Sequence, residues 1–322
     1  MSVLEKLDFI GESLHRPECV LATSDGNLHV ADWRGGVTII APDGSQRSIL
    51  ANAAFKPKPN GIGILADGSW LLAHLGNSHG GVFHLQMDGR LADFVAEVDG
   101  EALPPTNYVH IDGRGWVWIT VSTRLKPRAL GYRADCSDGF VVLVNDAGAR
   151  IVADRLGYTN ECLIHPKTDH LYINETFARR LTRFDVSEDG TLSNKTTVAT
   201  FGKGTFPDGL TFDAEGGVWI TSIISNRVIR VGQDGDQEVI LEDSDPNHLD
   251  WVEQAYLDGS MDRPHLDRAV GQKLQNISSL AFGGSDLKNV YLGCLLGHSI
   301  PTFRSEIAGL APYHWNFRNQ RT

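Results

Sequence analysis

The chain has 322 residues, 41% of them hydrophobic and 21% charged, with 34 glycines and a formal net charge of −11. Forty acidic against 29 basic residues, with no basic run to neutralise a phosphate backbone, argue against a nucleic-acid partner, and no apolar run approaches the ~20 residues that cross a bilayer. Four cysteines (Cys19, Cys136, Cys162, Cys294) without CxxC spacing read as reduced, buried thiols, and the start lacks the basic-then-apolar pattern of a secretory leader, so the expectation is a soluble, cytoplasmic protein of one domain over residues 1–322.

In chain order, the first recurring unit opens at Glu18 in ECVLATSDGNLHVAD (18–32). The second opens at Asn60 in PNGIGILADGSWLLAH, the third at Asn107 in TNYVHIDGRGWVWIT, the fourth at Asn160 in TNECLIHPKTDHLYIN and the fifth at Asp208 in PDGLTFDAEGGVWIT. A degenerate sixth begins near residue 279 with SSLAFGGSDLKNVYLG. Each copy runs from a polar residue through an apolar stretch, a turn and a second, aromatic-rich apolar stretch. Asp-Gly turns punctuate the copies. Two further extended stretches follow in most of them, for example GGVFHLQMDG then LADFVAEV, which makes four strands per unit. A lone four-stranded unit cannot bury both faces, so six of them pack around an axis: the predicted fold is all-β, a six-bladed propeller. The segment before Glu18 is expected to supply the closing strand of the last blade.

Two places break the period. TRLKPRALGYRADCSDG (123–139) reads as an Arg-bearing loop over one end of blade three. The insertion 242–276 contains NHLDWVEQAYLDG, where Leu249, Val252 and Tyr256 have helical spacing and Asp245 or Asn247 offers an N-cap. It reads as a short helix plus a loop between blades five and six, serving as a lid, an oligomer contact or a blade edge.

Residues just before the innermost strands face the mouth of a propeller's channel. Glu18, Asn107, Asn160 and Asp208 bring oxygen there from four blades, a donor set that suits Ca²⁺, Mg²⁺ or Mn²⁺ and leaves Zn²⁺ possible. Asn and Asp before Gly are ordinary turn formers, but Glu18, after Pro17, has no such local role. His74 and His110 are candidates to line the channel and pass a proton to a leaving alkoxide. Arg124, Arg128 and Arg133 are candidates to pair with a substrate carboxylate. Trp70, Trp116, Trp118 and Trp219 read as blade packing.

RPE at 16–18, TNE at 159–161, LYINET at 171–176 and PDGLTFDAEGGVWIT at 207–221 resemble the gluconolactonase/regucalcin-like (senescence-marker protein) family of six-bladed propeller hydrolases. The resemblance implies that Glu18, Asn160 and Asp208 ligate one divalent cation, Ca²⁺ foremost, that Asn107 contacts substrate or a water on the ion, and that a small lactone is hydrolysed. Asp208 is then the candidate general base beside a Lewis-acidic cation that activates water. Pro105 and Tyr108 stand where relatives active on sugar lactones often carry Arg and Asp, and Glu175 stands for an aspartate. The cation set is thus kept while contacts to sugar hydroxyls are altered, with Tyr108, Arg124 and Glu175 among the substrate-facing candidates. A propeller with a purely structural calcium ion, and hydratase- or lyase-type chemistry by the same cation on an acidic substrate, stay open. Homo-oligomerisation stays open too.

Overall fold

The computed structural model of the protein describes residues 2–317. Six four-stranded antiparallel sheets succeed one another along the chain as the blades of a propeller. Their innermost strands are Val20–Ala22, Pro59–Ile64, Thr106–Ile111, Thr159–Ile164, Phe206–Phe212 and Ile277–Gly283. From blade two to blade six consecutive inner strands lie side by side, that of blade six returns to that of blade one, and Leu28–Asp32 of blade one meets the inner strand of blade two, closing the ring. The fourth strand of blade six is Asp8–Ile10, paired with Ile300–Arg304 so that Asp8 faces Thr302 and Ile10 faces Ile300. This is the closure expected from the N-terminal segment, and it leaves no open seam between the first and last blades.

Burial explains the sequence pattern. Inner strands such as Pro59–Ile64 are buried at every residue, whereas the outermost ones, such as Leu192–Thr200, are largely exposed. Between blades the core is aromatic and aliphatic, and Trp70, Trp118 and Trp219 are completely enclosed. Truncating one of them would cost about 3–5 kcal/mol. In blades three and five the turn aspartate also pins the tryptophan: Asp112 Oδ2 accepts Trp118 Nε1–H at 3.1 Å and Asp213 Oδ2 accepts Trp219 Nε1–H at 2.9 Å. The recurrent D-x-x-G-x-V-W phrase of these two blades is therefore a packing device.

The insertion holds two helices, α1 (Pro246–Leu257) and α2 (Arg263–Asp267). Asp245 caps α1 through the backbone amides of Asn247 and His248, as its sequence suggests. Leu249, Val252 and Ala255 bury its apolar face in a cluster with Phe177, Phe206 and Ile223. An Arg179–Glu253 ion pair of 2.7 Å and a bond from Tyr256 Oη to Phe177 O (2.6 Å) anchor it further. The five residues of α2, with Pro264 inside them, carry no readable period and were expected as loop. All four cysteines are free thiols. Among the described residues no helix is long and apolar enough to cross a membrane.

Candidate metal and substrate site

The residues that open the repeats meet in one pocket. Glu18, Asn60, Asn107, Asn160 and Asp208 share its walls, and all five are buried, Asp208 to 3% exposure and Glu18 to 6%. A backbone device brings them there. Strand pairing slips in register at Pro59/Ile62, Thr106/Tyr108, Thr159/Cys162 and Pro207/Leu210. Each slip brackets a pocket residue. A β-bulge inserts an unpaired residue and re-aims its side chain, so the repeat places a polar group at the axis without breaking the sheet. Asn60 and Asp208 therefore occupy bulges rather than turns. The glycines after them serve close approach: a Cβ on Gly61 would lie 2.5 Å from the Tyr108 ring, and one on Gly209 would lie 2.5 Å from Ser278 O.

In blade one the equivalent position is shaped differently. Arg16 adopts φ 48° two residues before Glu18, as Tyr158 adopts φ 67° two residues before Asn160. Left-handed backbone at a non-glycine residue persists only where surrounding contacts over-determine it. Here Glu18 N donates to Arg16 O (2.8 Å), the Arg16 side chain pairs with Glu18 Oε2 at 3.1 Å, and its guanidinium lies 4.2 Å over Trp33.

The pocket oxygens are poorly satisfied by protein. Asn60 Oδ1 and Asn107 Oδ1 are buried without a hydrogen-bond partner. Asn160 spends Nδ2 on Thr176 Oγ1 (3.1 Å), whose own hydrogen goes to Pro207 O (2.8 Å), which leaves the amide oxygen uncommitted. Among the described residues nothing donates to the Asp208 carboxylate. Burial pushes that carboxyl well above the ordinary range, the Glu18 charge pushes it further, and Arg16 and Arg128 pull the other way. Glu161, deeper along the axis, is likewise raised by burial and by Asp208 and Glu18, against the Leu210 amide that binds its carboxylate at 3.1 Å.

Among the described residues no three His, Cys, Asp or Glu side chains group with metal-ligand spacing. This cluster has two carboxylates and takes its remaining oxygens from amides. Orphaned carbonyl-type oxygens facing two carboxylates, of which only Glu18 has a cationic partner in Arg16, fit a hard divalent cation. The pocket encloses about 30 Å³, room for an ion or a water but not for a sugar ring. An organic substrate must sit at its outer rim, where the partly exposed Arg128 and Arg263 are found.

Other sequence candidates lie elsewhere. Tyr108 and His110 face a separate, mainly apolar cavity of about 190 Å³ further along the axis, closed by the segment 310–314. Tyr108 follows Asn107 on a strand, so it takes the opposite face. Burial lowers His110 to about 4, with Asp112 opposing, and its Nε2 has no partner. A neutral imidazole in that cavity is no acid for the pocket. His74 accepts Lys58 N–H at Nδ1 (2.9 Å) and packs edge-on against Phe55. Arg124 turns outward to Asp154 (2.9 Å) over the Phe140 ring, and Arg133 pairs with Asp135 at 2.8 Å. Glu175 is fully enclosed and bound by Arg180 Nε (2.7 Å), Thr182 Oγ1 (2.6 Å) and Gly157 N. It is a structural acid.

The strand around Glu175 nevertheless serves the pocket through its neighbours. Asn174 Nδ2 donates to Asp208 O and Gly209 O, both at 3.0 Å, and Thr176 orients Asn160. With Asn60 and Arg16 these are the site residues that sequence reasoning passed over. The signal was present: Asn60 begins a repeat, and Asn174 and Thr176 flank Glu175 in LYINET with the opposite parity.

Residues 17–242 match the SMP-30/Gluconolactonase/LRE-like region family, which spans blades one to five and ends before the helical insertion. The chain is similar to a 6-deoxy-6-sulfogluconolactonase of Pseudomonas putida, 25% identical over 239 residues that cover 72% of this chain and 67% of that one. It shares its fold with a gluconolactonase of Xanthomonas campestris (TM-score 0.66, 17% identity, 94% and 89% of the two chains covered). The calcium-binding protein regucalcin of Agrobacterium tumefaciens is equally similar in fold (TM-score 0.66, 15% identity, 96% and 98% covered).

Proposed function

The chain belongs to the SMP-30/gluconolactonase/LRE-like family, and we propose that it is a metal-dependent lactonase acting on small sugar-type or carboxylated lactones. One observation carries the reading: two carboxylates and three amide side chains, from five blades, share a buried pocket in which two amide oxygens have no partner. Lactonase relatives support the substrate class, and a calcium-binding propeller of the same fold supports the cation.

Glu18, Asn160 and Asp208 would hold one divalent ion, Ca²⁺ foremost and Mg²⁺, Mn²⁺ or Zn²⁺ as alternatives. When bound, it supplies Lewis acidity toward the lactone carbonyl and makes a nearby water easier to deprotonate. The protein residues do the rest. Arg16 keeps Glu18 oriented; Thr176 fixes which end of the Asn160 amide faces the pocket; Asn174 fixes the backbone that carries Asp208. Asn107 presents its amide to the substrate, and Asn60 offers a second. Asp208 accepts the proton of the attacking water. Water then adds to the carbonyl carbon, the ring C–O bond breaks, the proton returns to the departing alkoxide, and a hydroxy acid leaves.

The test is a lactone panel run on chelated protein and on protein reconstituted with each of the four cations. Turnover that vanishes on chelation and returns with one cation is expected. Full-rate lactone opening by thoroughly chelated protein would overturn the metal-dependent part, and no turnover of any lactone would overturn the enzyme. A structural ion is the second reading, favoured by the small volume of the pocket. It predicts a large gain in melting temperature with Ca²⁺ and no hydrolysis.

A further inference from the structure

Resting on the lactonase reading, we propose that Arg128 and Arg263 form an anion clamp at the rim of this site, and that the favoured lactones carry a negative group (carboxylate, sulfonate or phosphate) on the arm remote from the ring carbonyl. The three arginines of the 123–139 loop make the case by contrast. Arg124 is spent on Asp154 and Arg133 on Asp135. Arg128 has no carboxylate partner among the described residues. Its Nη2 donates to Ser122 Oγ at 3.2 Å, its guanidinium stands 5.5 Å from the Tyr158 ring, and its Nε is buried without an acceptor. A half-buried guanidinium left unpaired is costly, and what relieves it is an anion.

Arg263 reaches the same rim from α2. Its Nη1 lies 3.5 Å from Tyr132 Oη, and it pairs with Asp267 one helical turn away, on the exposed side. Tyr132 and Tyr158 are in ring contact, with centroids 5.5 Å apart, so the two arginines flank one aromatic platform. Arg263, unlike the two tyrosines, lies beyond residue 242, where the family match ends. The rim it builds is an addition carried by the insertion.

Charge balance points the same way. Arg16, Arg128 and Arg263 share the pocket with only two carboxylates, Glu18 and Asp208. Once a divalent cation sits between those carboxylates, the surroundings become more positive, and a neutral sugar arm leaves Arg128 uncompensated while Arg263 keeps only its exposed pair with Asp267. An anionic arm meets two planar forks of donors, the geometry in which arginine binds carboxylate, sulfonate and phosphate oxygens.

The experiment compares kcat/KM of calcium-loaded wild type, Arg128→Gln and Arg263→Gln on gluconolactone and on its glucarolactone, sulfogluconolactone and phosphogluconolactone counterparts. The ratio of anionic to neutral kcat/KM should exceed about 10 for at least one anion in wild type and fall about 10-fold or more in each variant. The anion with the highest ratio names the group. A second arm does not depend on turnover: calorimetric binding of gluconate, glucarate, sulfogluconate and phosphogluconate to the same proteins. A distally anionic acid should bind about 10-fold tighter than gluconate, and Arg128→Gln should close that gap. Melting curves check each fold; should one Gln variant not fold, the other and Arg128→Lys, expected to retain part of the ratio, decide. A wild-type ratio at or below unity for every anion, or a ratio that neither variant moves, overturns the clamp. If no lactone is opened, the lactonase reading fails, and the calorimetric arm still decides the clamp.

Discussion

Two rows of buried polar side chains run around this propeller, and they differ in what surrounds them. At the starts of inner strands stand Glu18, Asn60, Asn107, Asn160 and Asp208; at the ends of second strands stand Asp32 and Glu175. Burial alone would raise Glu175, yet Arg180, Gly157 and Thr182 hold it below the usual range. Asp32 is treated alike by Arg34 and Thr38, with Arg34 at 2.6 Å. In the inner row Asp208 is driven up and two amide oxygens have no partner at all. A buried acid that the protein satisfies stabilises the fold, and one that it leaves unsatisfied waits for something else. Asp208 and Glu175 are both buried acids, and what separates them is their partners.

The comparison can be broken at several points. The largest expected effect is at Asp208. Asp208→Asn should reduce lactone hydrolysis about 10³-fold or more while the chain stays folded, since a group acting directly on the ion and the attacking water is removed. Activity near the wild-type rate would dissolve the distinction between the rows. Thr176→Val should come next. It removes the group that orients Asn160, and a fall of about 10- to 100-fold in cation affinity is expected by titration.

Glu175→Gln addresses the other row. Breaking its enclosed pair with Arg180 should cost about 2–3 kcal/mol in denaturant unfolding, and cation binding should survive. A loss of cation binding with unchanged stability would move Glu175 into the site. The smallest effect is a pH dependence. A carboxyl whose folded pKa lies above its unfolded value keeps its proton longer in the folded chain, so its contribution to stability falls as pH rises from near 3.8 through the folded pKa. Without a cation, Asp208→Asn should therefore gain on wild type as pH rises, by about 2 °C in Tm. Added Ca²⁺ should reverse the order.

Much of this architecture was legible because a repeat reports geometry: identical phrases must occupy identical places, so four pocket residues could be named from spacing alone. The closing strand and the capped helix α1 were legible for similar reasons, one from closure of the ring and one from Asp245 before a periodic apolar face. What stayed hidden depended on contacts between distant segments. Sequence order gives no hint that Arg124 turns to Asp154 while Arg128, four residues on, faces the pocket. Glu175 drew notice as an acid in a site-like phrase, although on a strand its neighbours Asn174 and Thr176 point to the other side. His110 and Tyr108 sit on the right strand but face a different cavity. The bulges that turn Asn60 and Asp208 inward leave no mark that separates them from a turn before glycine.

Calorimetric titration of the metal-free protein with Ca²⁺, alongside Asp208→Asn and Glu175→Gln, is the most direct trial of the central claim. One ion per chain in wild type and in Glu175→Gln, with binding abolished in Asp208→Asn, is the result this account predicts. Equal binding in wild type and Asp208→Asn, or none in wild type with Ca²⁺, Mg²⁺, Mn²⁺ or Zn²⁺, would contradict it.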